Sequence, residues 1–466
     1  MTLTGGRGQQ SPSGEKDKTM RKTPVKLLLL SVLMMLAACS AGGSAGPAAS
    51  QTQAPKTLNV YVSTNAKSSQ NAVYALSGST GKLLWSYSTG ANGNNPPLLD
   101  QGVVYVGSGN TLDALNAQNG KLLWSHQAPG AVRVLGVVDG VVYAASESLV
   151  NGASSGDSSL FALKASDGAA RWNYSVADLL VGNELLADRV IYALVQSKQS
   201  CHCSGQPSYT LALNASDGSV LWKTAQASDI YGVRLAANGL VYGIDGMTDE
   251  FTDSLLARKA SDGSVAWQFP KASAPAYVNI IGMNGNVVYV LSNDGNLGFP
   301  PLASGLNVVY ALNASDGTVL WRAQVTSQSS FLGTLFAPAI YIGADDSAPT
   351  VFALNTADGK LLWQGQIAGS MAKMGSLVEV AAVVDGSDYL SYPQGVAALS
   401  ASDGSMRWKY EGNGISSVAA VLNGVVYASS TPGDPAQQTI SALKASDGSL
   451  LWSYAAPLVF NPPVVG

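Results

Sequence analysis

Three features of this 466-residue chain predict an all-β fold, a β-propeller built from four-stranded antiparallel blades. One phrase recurs nine times and always closes on a tryptophan. Gly-containing turns punctuate short apolar runs along most of the length. Charged residues make up only 12% of the chain, against 46% hydrophobic. Globular domains usually carry about 25% charged residues, so the deficit fits short strands and turns with few charged helix faces. With 9 Trp, 19 Tyr and 8 Phe, the chain can fill a substantial core, which excludes a disordered polymer.

In chain order, the first element is an address. Arg21, Lys22 and Lys26 precede the apolar run Leu27–Leu36, and Leu36-Ala37-Ala38-Cys39 ends it. Ten apolar residues are too few to cross a bilayer of about 30 Å as a permanent helix, and the pattern is that of a secretory signal. The cleavage site resembles a bacterial lipobox, which implies a diacylglycerol on Cys39 and a mature chain starting there. Residues 1–38 are expected to be the signal peptide, with translation starting at Met1 or at Met20. Residues 39–56, rich in Gly, Ala, Ser and Pro, form a flexible tether. Residues 1–38 hold six basic and two acidic side chains, so the rest of the chain carries −8 where the whole carries −4. A phosphate-backbone binder needs a basic surface, so nucleic acid is not an expected partner.

From residue 57 to 466 the repeats take over. Trp85, Trp124, Trp172, Trp222, Trp267, Trp321, Trp363, Trp408 and Trp452 each follow an Ala by ten residues and a Gly by four, as in Ala75-Gly81-Trp85. An apolar run, a Ser-Asp-Gly type turn and a second apolar run make a β-hairpin, with Gly supplying the positive φ. Two more strands around another Gly turn precede most copies, for example VVDGVVYAAS at 137–146. Four strands per 40–50 residues describe a propeller blade. The motif count gives nine blades, with eight as the alternative. The 29 residues from Lys56 to Trp85 hold three strands but not four. The tail Asn461-Pro462-Pro463-Val464-Val465 echoes Asn95-Pro96-Pro97-Leu98-Leu99. The C-terminal residues are therefore expected to supply the innermost strand of the first blade and close the ring.

This pattern resembles the tryptophan-docking, or PQQ-like, repeat of quinoprotein-type propellers, in which eight blades are usual. With the lipobox it is similar to the family of propeller lipoproteins of the outer-membrane β-barrel assembly machinery. The sensor propellers of bacterial receptor kinases share the repeat.

Within a blade, the turn between third and fourth strands lies on one rim. The loop between second and third strands lies on the other, with the connection to the next blade. Insertions are expected in that second group, at Glu147–Ser158, Ser197–Pro207, Gly246–Thr252, Asn293–Gly305 and Thr431–Gln438. Variable loops on a rigid scaffold are where binding usually resides.

Candidate chemistry is sparse. The repeated Asp167, Asp217, Asp262, Asp316, Asp358, Asp403 and Asp447 are read as turn residues, because calcium needs six to eight converging oxygens. Asn214 and Asn313 fit glycosylation triplets but sit in the same turns. Cys201-His202-Cys203 falls in an insertion; His126 is the only other histidine, too few ligands for zinc. Cys201 and Cys203 are a local disulfide or two free thiols. The resemblance implies, as one alternative, a dehydrogenase using pyrroloquinoline quinone and calcium. Those enzymes carry an adjacent cysteine pair, a Glu/Asn/Asp calcium cluster and an aromatic platform, none of which can be assigned here. The expected function is a non-enzymatic protein-interaction or ligand-binding scaffold. It needs no cofactor or metal, is monomeric, and is anchored through Cys39 to the extracytoplasmic side of a bacterial envelope membrane, periplasmic or at the cell surface.

Overall fold

The computed structural model describes residues 58–466, apart from 65–70, 91–93, 151–152, 177–178, 198–207, 225–229, 248–251, 271–276, 294–306, 326–329, 346–348, 368–377, 413–414, 432–437 and 457–460. The chain divides into two compact units, Met1–Gln51 and Thr52–Gly466, and every described residue lies in the second. The signal sequence, Cys39, the tether, and Cys201-His202-Cys203 fall outside the described residues.

Each tryptophan phrase owns one sheet. Nine four-stranded antiparallel sheets are present, numbered here as blades 1–9 by their tryptophans, so the eight-blade alternative does not hold. In blade 2 the strands are Leu98–Asp100, Val103–Ser108, Thr111–Asn116 and Leu122–Gln127. First strands of successive blades adjoin one another, so they form the hub, and the tryptophan-bearing fourth strands form the perimeter.

Local chemistry explains the hairpins. In the turn between third and fourth strands, Gly120 N–H donates to Asn116 O and Asn116 N–H to Lys121 O, both at 2.8 Å. The turn glycine takes φ between +67° and +73° in all nine blades. Several turns between first and second strands have two consecutive positive-φ residues, as in Asp139-Gly140, Asn238-Gly239 and Asn423-Gly424. That is the type I′ geometry, whose twist matches the flanking strands. Every fourth strand shifts register just before its tryptophan, for example between Ala75↔Trp85 and Leu76↔Leu83. A bulge of this kind twists an outer strand away from edge-to-edge pairing.

The tail closes the ring as expected. Val464–Val465 pairs with Tyr61 and Val60 as the innermost strand of blade 1. The echoed asparagines also play one part. Asn461 N–H donates to Ser63 O and Asn95 N–H to Gly107 O, each fixing a first strand on its own blade. Their side chains reach the next blade, Asn461 Nδ2 to Asn94 O and Asn95 Nδ2 to Val132 O.

Two rims follow. Hairpin turns of both kinds share one rim, and Leu58 and Gly466 lie there too, since Leu58 O accepts from Gly78 N–H and Gly466 pairs with Asn59. The second-to-third connections and the blade-to-blade crossings share the other. One expected loop is partly strand. Val141–Val150 and Ala153–Lys164 extend as a paired ribbon, Ala153 opposite Val150, so Glu147–Ser158 is largely paired strand, with 151–152 outside the described residues.

Candidate functional site

The nine predicted tryptophans are brought into one circular network. Each indole Nε1 donates to a backbone carbonyl in the third-to-fourth turn of the following blade. Trp85 donates to Ala117 O, Trp124 to Ala165 O, Trp172 to Ala215 O, Trp222 to Ala260 O and Trp267 to Ala314 O. Trp321 donates to Thr356 O, Trp363 to Ala401 O, Trp408 to Ala445 O, and Trp452 closes the ring on Gly78 O at 2.9 Å. The same turn's glycine lies flat on the indole: a Cβ at Gly81 would sit 2.6 Å from Trp452, and the other eight turn glycines are as tight. Glycine is thus required twice, for its φ and for its missing side chain.

Sequence reasoning missed the partner of each tryptophan. Nine tyrosines, from Tyr61 and Tyr105 round to Tyr427, tilt against the indole of their own blade with ring centroids 5.8–6.3 Å apart. In blades 1, 5, 6, 8 and 9 the hydroxyl donates to the carbonyl that its tryptophan uses, as Tyr427 does to Gly78 O. The signal was present: seven of the nine lie in an aliphatic-aliphatic-Tyr triplet such as VVY, VIY or LVY.

Blade 7 departs from this. Tyr341 donates instead to Asp388 Oδ1 of blade 8 at 3.2 Å. Asp388 is fully buried where the other blades carry Val or Ile, and its Oδ2 has no hydrogen-bond partner. Desolvation pushes its pKa up to about 6, moderated by the Tyr341 hydroxyl and the Arg407 charge.

The turn residues behave as local chemistry predicts. Asp217 Oδ1 accepts from Ser219 N–H and Oγ–H, and Asp262, Asp403 and Asp447 repeat the pattern with the residue two positions on. These bonds stabilise the ionised form and hold the carboxyls of Asp217, Asp262, Asp403 and Asp447 below their ordinary pKa. Asn214 and Asn313 make the same kind of turn with Ser216 and Ser315. His126 stacks on Phe161 with centroids 5.5 Å apart, and burial lowers its pKa.

Two places carry polar groups apart from the turns. At the hub, Arg133 of blade 3 donates to Glu184 of blade 4 at 2.5 Å, while Arg234 and Glu379 are exposed on the first strands of blades 5 and 8. Partial enclosure by neighbouring strands raises the Glu379 pKa. These groups offer both signs of charge. Between blades 8 and 9 a cleft of about 100 Å³ is lined by Tyr410, Glu411, Ser429, Ser430, Thr439 and Ser441. Its hydroxyls can hydrogen-bond a small polar group, and among the described residues no histidine lines it. Among the described residues, no three His, Cys, Asp or Glu side chains converge as metal ligands, and no helix is long and apolar enough to cross a membrane.

The docking network and the repeat define the class: a PQQ-like repeat β-propeller. The family profile described as outer membrane protein assembly factor BamB matches residues 41–269 and 374–463. With more than half its length matched, the chain belongs to that family. No curated protein matches the sequence significantly. Among solved structures, a eukaryotic initiation factor is similar at 11% identity and TM-score 0.55, over 88% of this chain and 98% of that one. The dihydro-heme d1 dehydrogenase NirN is similar at 12% identity and TM-score 0.50, over 90% and 77%. BamB from Moraxella catarrhalis is similar at 16% identity and TM-score 0.42, over 72% and 92%. Identities this low show a shared architecture and nothing more.

Proposed function

We propose that this chain is a lipid-anchored extracytoplasmic scaffold that holds a protein or ligand on its loop rim and performs no redox chemistry. Membership of the BamB family supports the scaffold role. The observation that carries the reading is the opposition of the rims. Leu58, where the tether joins the propeller, stands among the short uniform turns, and the connections of variable length face the other way. A lipid on Cys39 would then hold the turn rim toward the membrane and present the loop rim to a partner.

The aromatic side chains favour this over the quinone alternative. All nine tryptophans are engaged at blade junctions through Nε1, so packing alone accounts for the most specific residues in the chain. In the test, Cys39→Ala should abolish lipid processing and release the protein from the detergent phase, whereas unchanged partitioning would refute the anchor. Purified chain incubated with pyrroloquinoline quinone and calcium should neither bind the quinone stoichiometrically nor reduce a dye with alcohols, sugars or aldehydes. Dye reduction would establish the enzyme instead.

A further inference from the structure

The exposed apolar side chains of the propeller are not scattered. Every large hydrophobic residue classed as exposed among the described residues lies in one motif position, the two residues just before the docking tryptophan. The bulge before that tryptophan places both at the perimeter, close to the turn rim. In blades 9, 1 and 2 both positions are leucine: Leu450 and Leu451, Leu83 and Leu84, Leu122 and Leu123, each 46–50% exposed. This arc ends at exposed Arg171 in blade 3 and exposed Arg407 in blade 8, which replace the second apolar residue. A second apolar arc across blades 4–7 includes Leu361 and Leu362 of blade 7, so position beside the tether and charge must distinguish the two.

The arc of blades 9, 1 and 2 is centred on the blade the tether enters. Leu58 and the first described strand of the chain, Asn59–Ser63, belong to blade 1. Charge varies in the same direction. Blades 1 and 2 have Thr80 and Asn119 where the other seven turns have Asp, so Lys82 and Lys121 after their glycines face no turn carboxylate, whereas the matching Lys360 of blade 7 is paired with Asp358. Blade 9 adds Lys444 beside Asp447, and Asp100 of blade 2 is the other acid on this part of the rim. If residues 39–56 are the tether that their Gly/Ala/Ser/Pro-rich sequence predicts, a chain of that length spans about 23 Å on average, short enough to keep the adjoining blades near the bilayer.

We propose that the leucine arc of blades 9, 1 and 2 docks on the lipid surface that carries the anchor. Leucines enter the headgroup boundary, and Lys82, Lys121 and Lys444 meet lipid phosphates, the pairing that holds amphipathic surfaces on membranes. The propeller then leans toward its tether and tilts the loop rim of blades 4–7 outward. This proposal rests on the lipid-anchor reading.

The test uses the full chain, lipidated and reconstituted in vesicles of phosphatidylethanolamine and phosphatidylglycerol. Photoreactive benzoylphenylalanine replaces Leu84, Leu123 or Leu451 on the arc, or Leu320 or Leu362 on the far side. Several-fold more lipid adduct from the arc than from the far side is expected. If the chain does not float with the vesicles, the anchor reading fails and takes this proposal with it. If it floats but both sides give equal adducts or none, docking is overturned while the anchor stands. Adducts joining two chains would assign the arc to a second copy and likewise overturn it. As a second measurement, a protease site placed within residues 44–54 allows the tether to be cut on the vesicle. The unmodified propeller should leave several-fold more slowly than a chain carrying Leu84→Gln, Leu123→Gln and Leu451→Gln, and equal release would refute lipid contact.

Discussion

The two rims of this propeller are built from one repeat but obey different rules. On the turn rim each third-to-fourth turn has the same length, the same positive-φ glycine and the same carbonyl receiving an indole N–H from the preceding blade. On the loop rim the connection between second and third strands runs from Gly109-Asn110 in blade 2 to the stretch between Asn293 and Asn307 in blade 6. The difference lies in what each backbone touches. A turn glycine has a neighbouring indole within 2.6 Å of where its Cβ would be, so length and residue type are fixed together. Loop closure entropy grows only slowly with length, so the loop rim tolerates insertion at little cost.

That contrast can be broken first at a single atom. Gly81→Ala adds a Cβ onto Trp452 at the closing junction, at φ +67°. The left-handed backbone costs about 1–2 kcal/mol for an L-residue, and overpacking a tight contact adds about 1–3 kcal/mol. Gly140 has φ +72° with nothing near its Cβ position, so Gly140→Ala should show the first cost alone. Urea unfolding of the two variants should separate them by roughly the overpacking term. Equal losses would mean the indole contact is not what fixes the turn glycine.

The same contrast shows what the sequence disclosed. Blade number, docking tryptophans, turn glycines and the closing tail were legible, because each is a repeated covalent pattern with one geometric solution. The tyrosine beside each tryptophan was equally regular, but VVY reads as ordinary strand until the neighbouring blade supplies an acceptor. Asp388 was legible only as a departure, Ser-Asp-Tyr in place of an aliphatic pair before Tyr, and its burial depends on packing that no local pattern encodes. The hub pair Arg133–Glu184 joins residues 51 apart and has no sequence signal. Glu147–Ser158 is an insertion between second and third strands, as its length predicts, but its Ser and Gly read as loop while backbone pairing carries the strands onward.

Asp388 offers the next test, of intermediate size. Its folded pKa of about 6 stands above the ordinary aspartate value, so its contribution to stability is most favourable below the unfolded pKa. That contribution is lost as pH rises from about 4 through 6. A shift of this size corresponds to roughly 2–4 kcal/mol. Asp388→Val restores the residue type of most other blades. It should stabilise the protein at about pH 8 by that order and much less at about pH 4. The Tyr341 hydroxyl is then expected to turn to Ala401 O, the carbonyl its blade's tryptophan already uses. Urea midpoints at the two pH values decide the matter, and a gain independent of pH would assign the effect to apolar burial.

The smallest effect on stability should come from the loop rim, where the largest effect on function is expected. In blade 6 the second and third strands pair from Val287↔Asn313 to Asn293↔Asn307, so their ladder is complete before the connection begins. Replacing residues 294–306 with a short Gly-containing turn leaves every ladder bond, the Trp321–Thr356 link and the Tyr289–Thr356 link in place. Shortening a loop changes closure entropy by well under about 1 kcal/mol per halving of length, and the melting temperature should barely move. If the loop rim is the binding face, capture of a co-purifying partner should fall sharply in this variant and remain intact in Gly140→Ala, whose change lies on the turn rim. The reverse result, with capture insensitive to the loop but lost with the turn, would move the binding face to the rim that carries the tether.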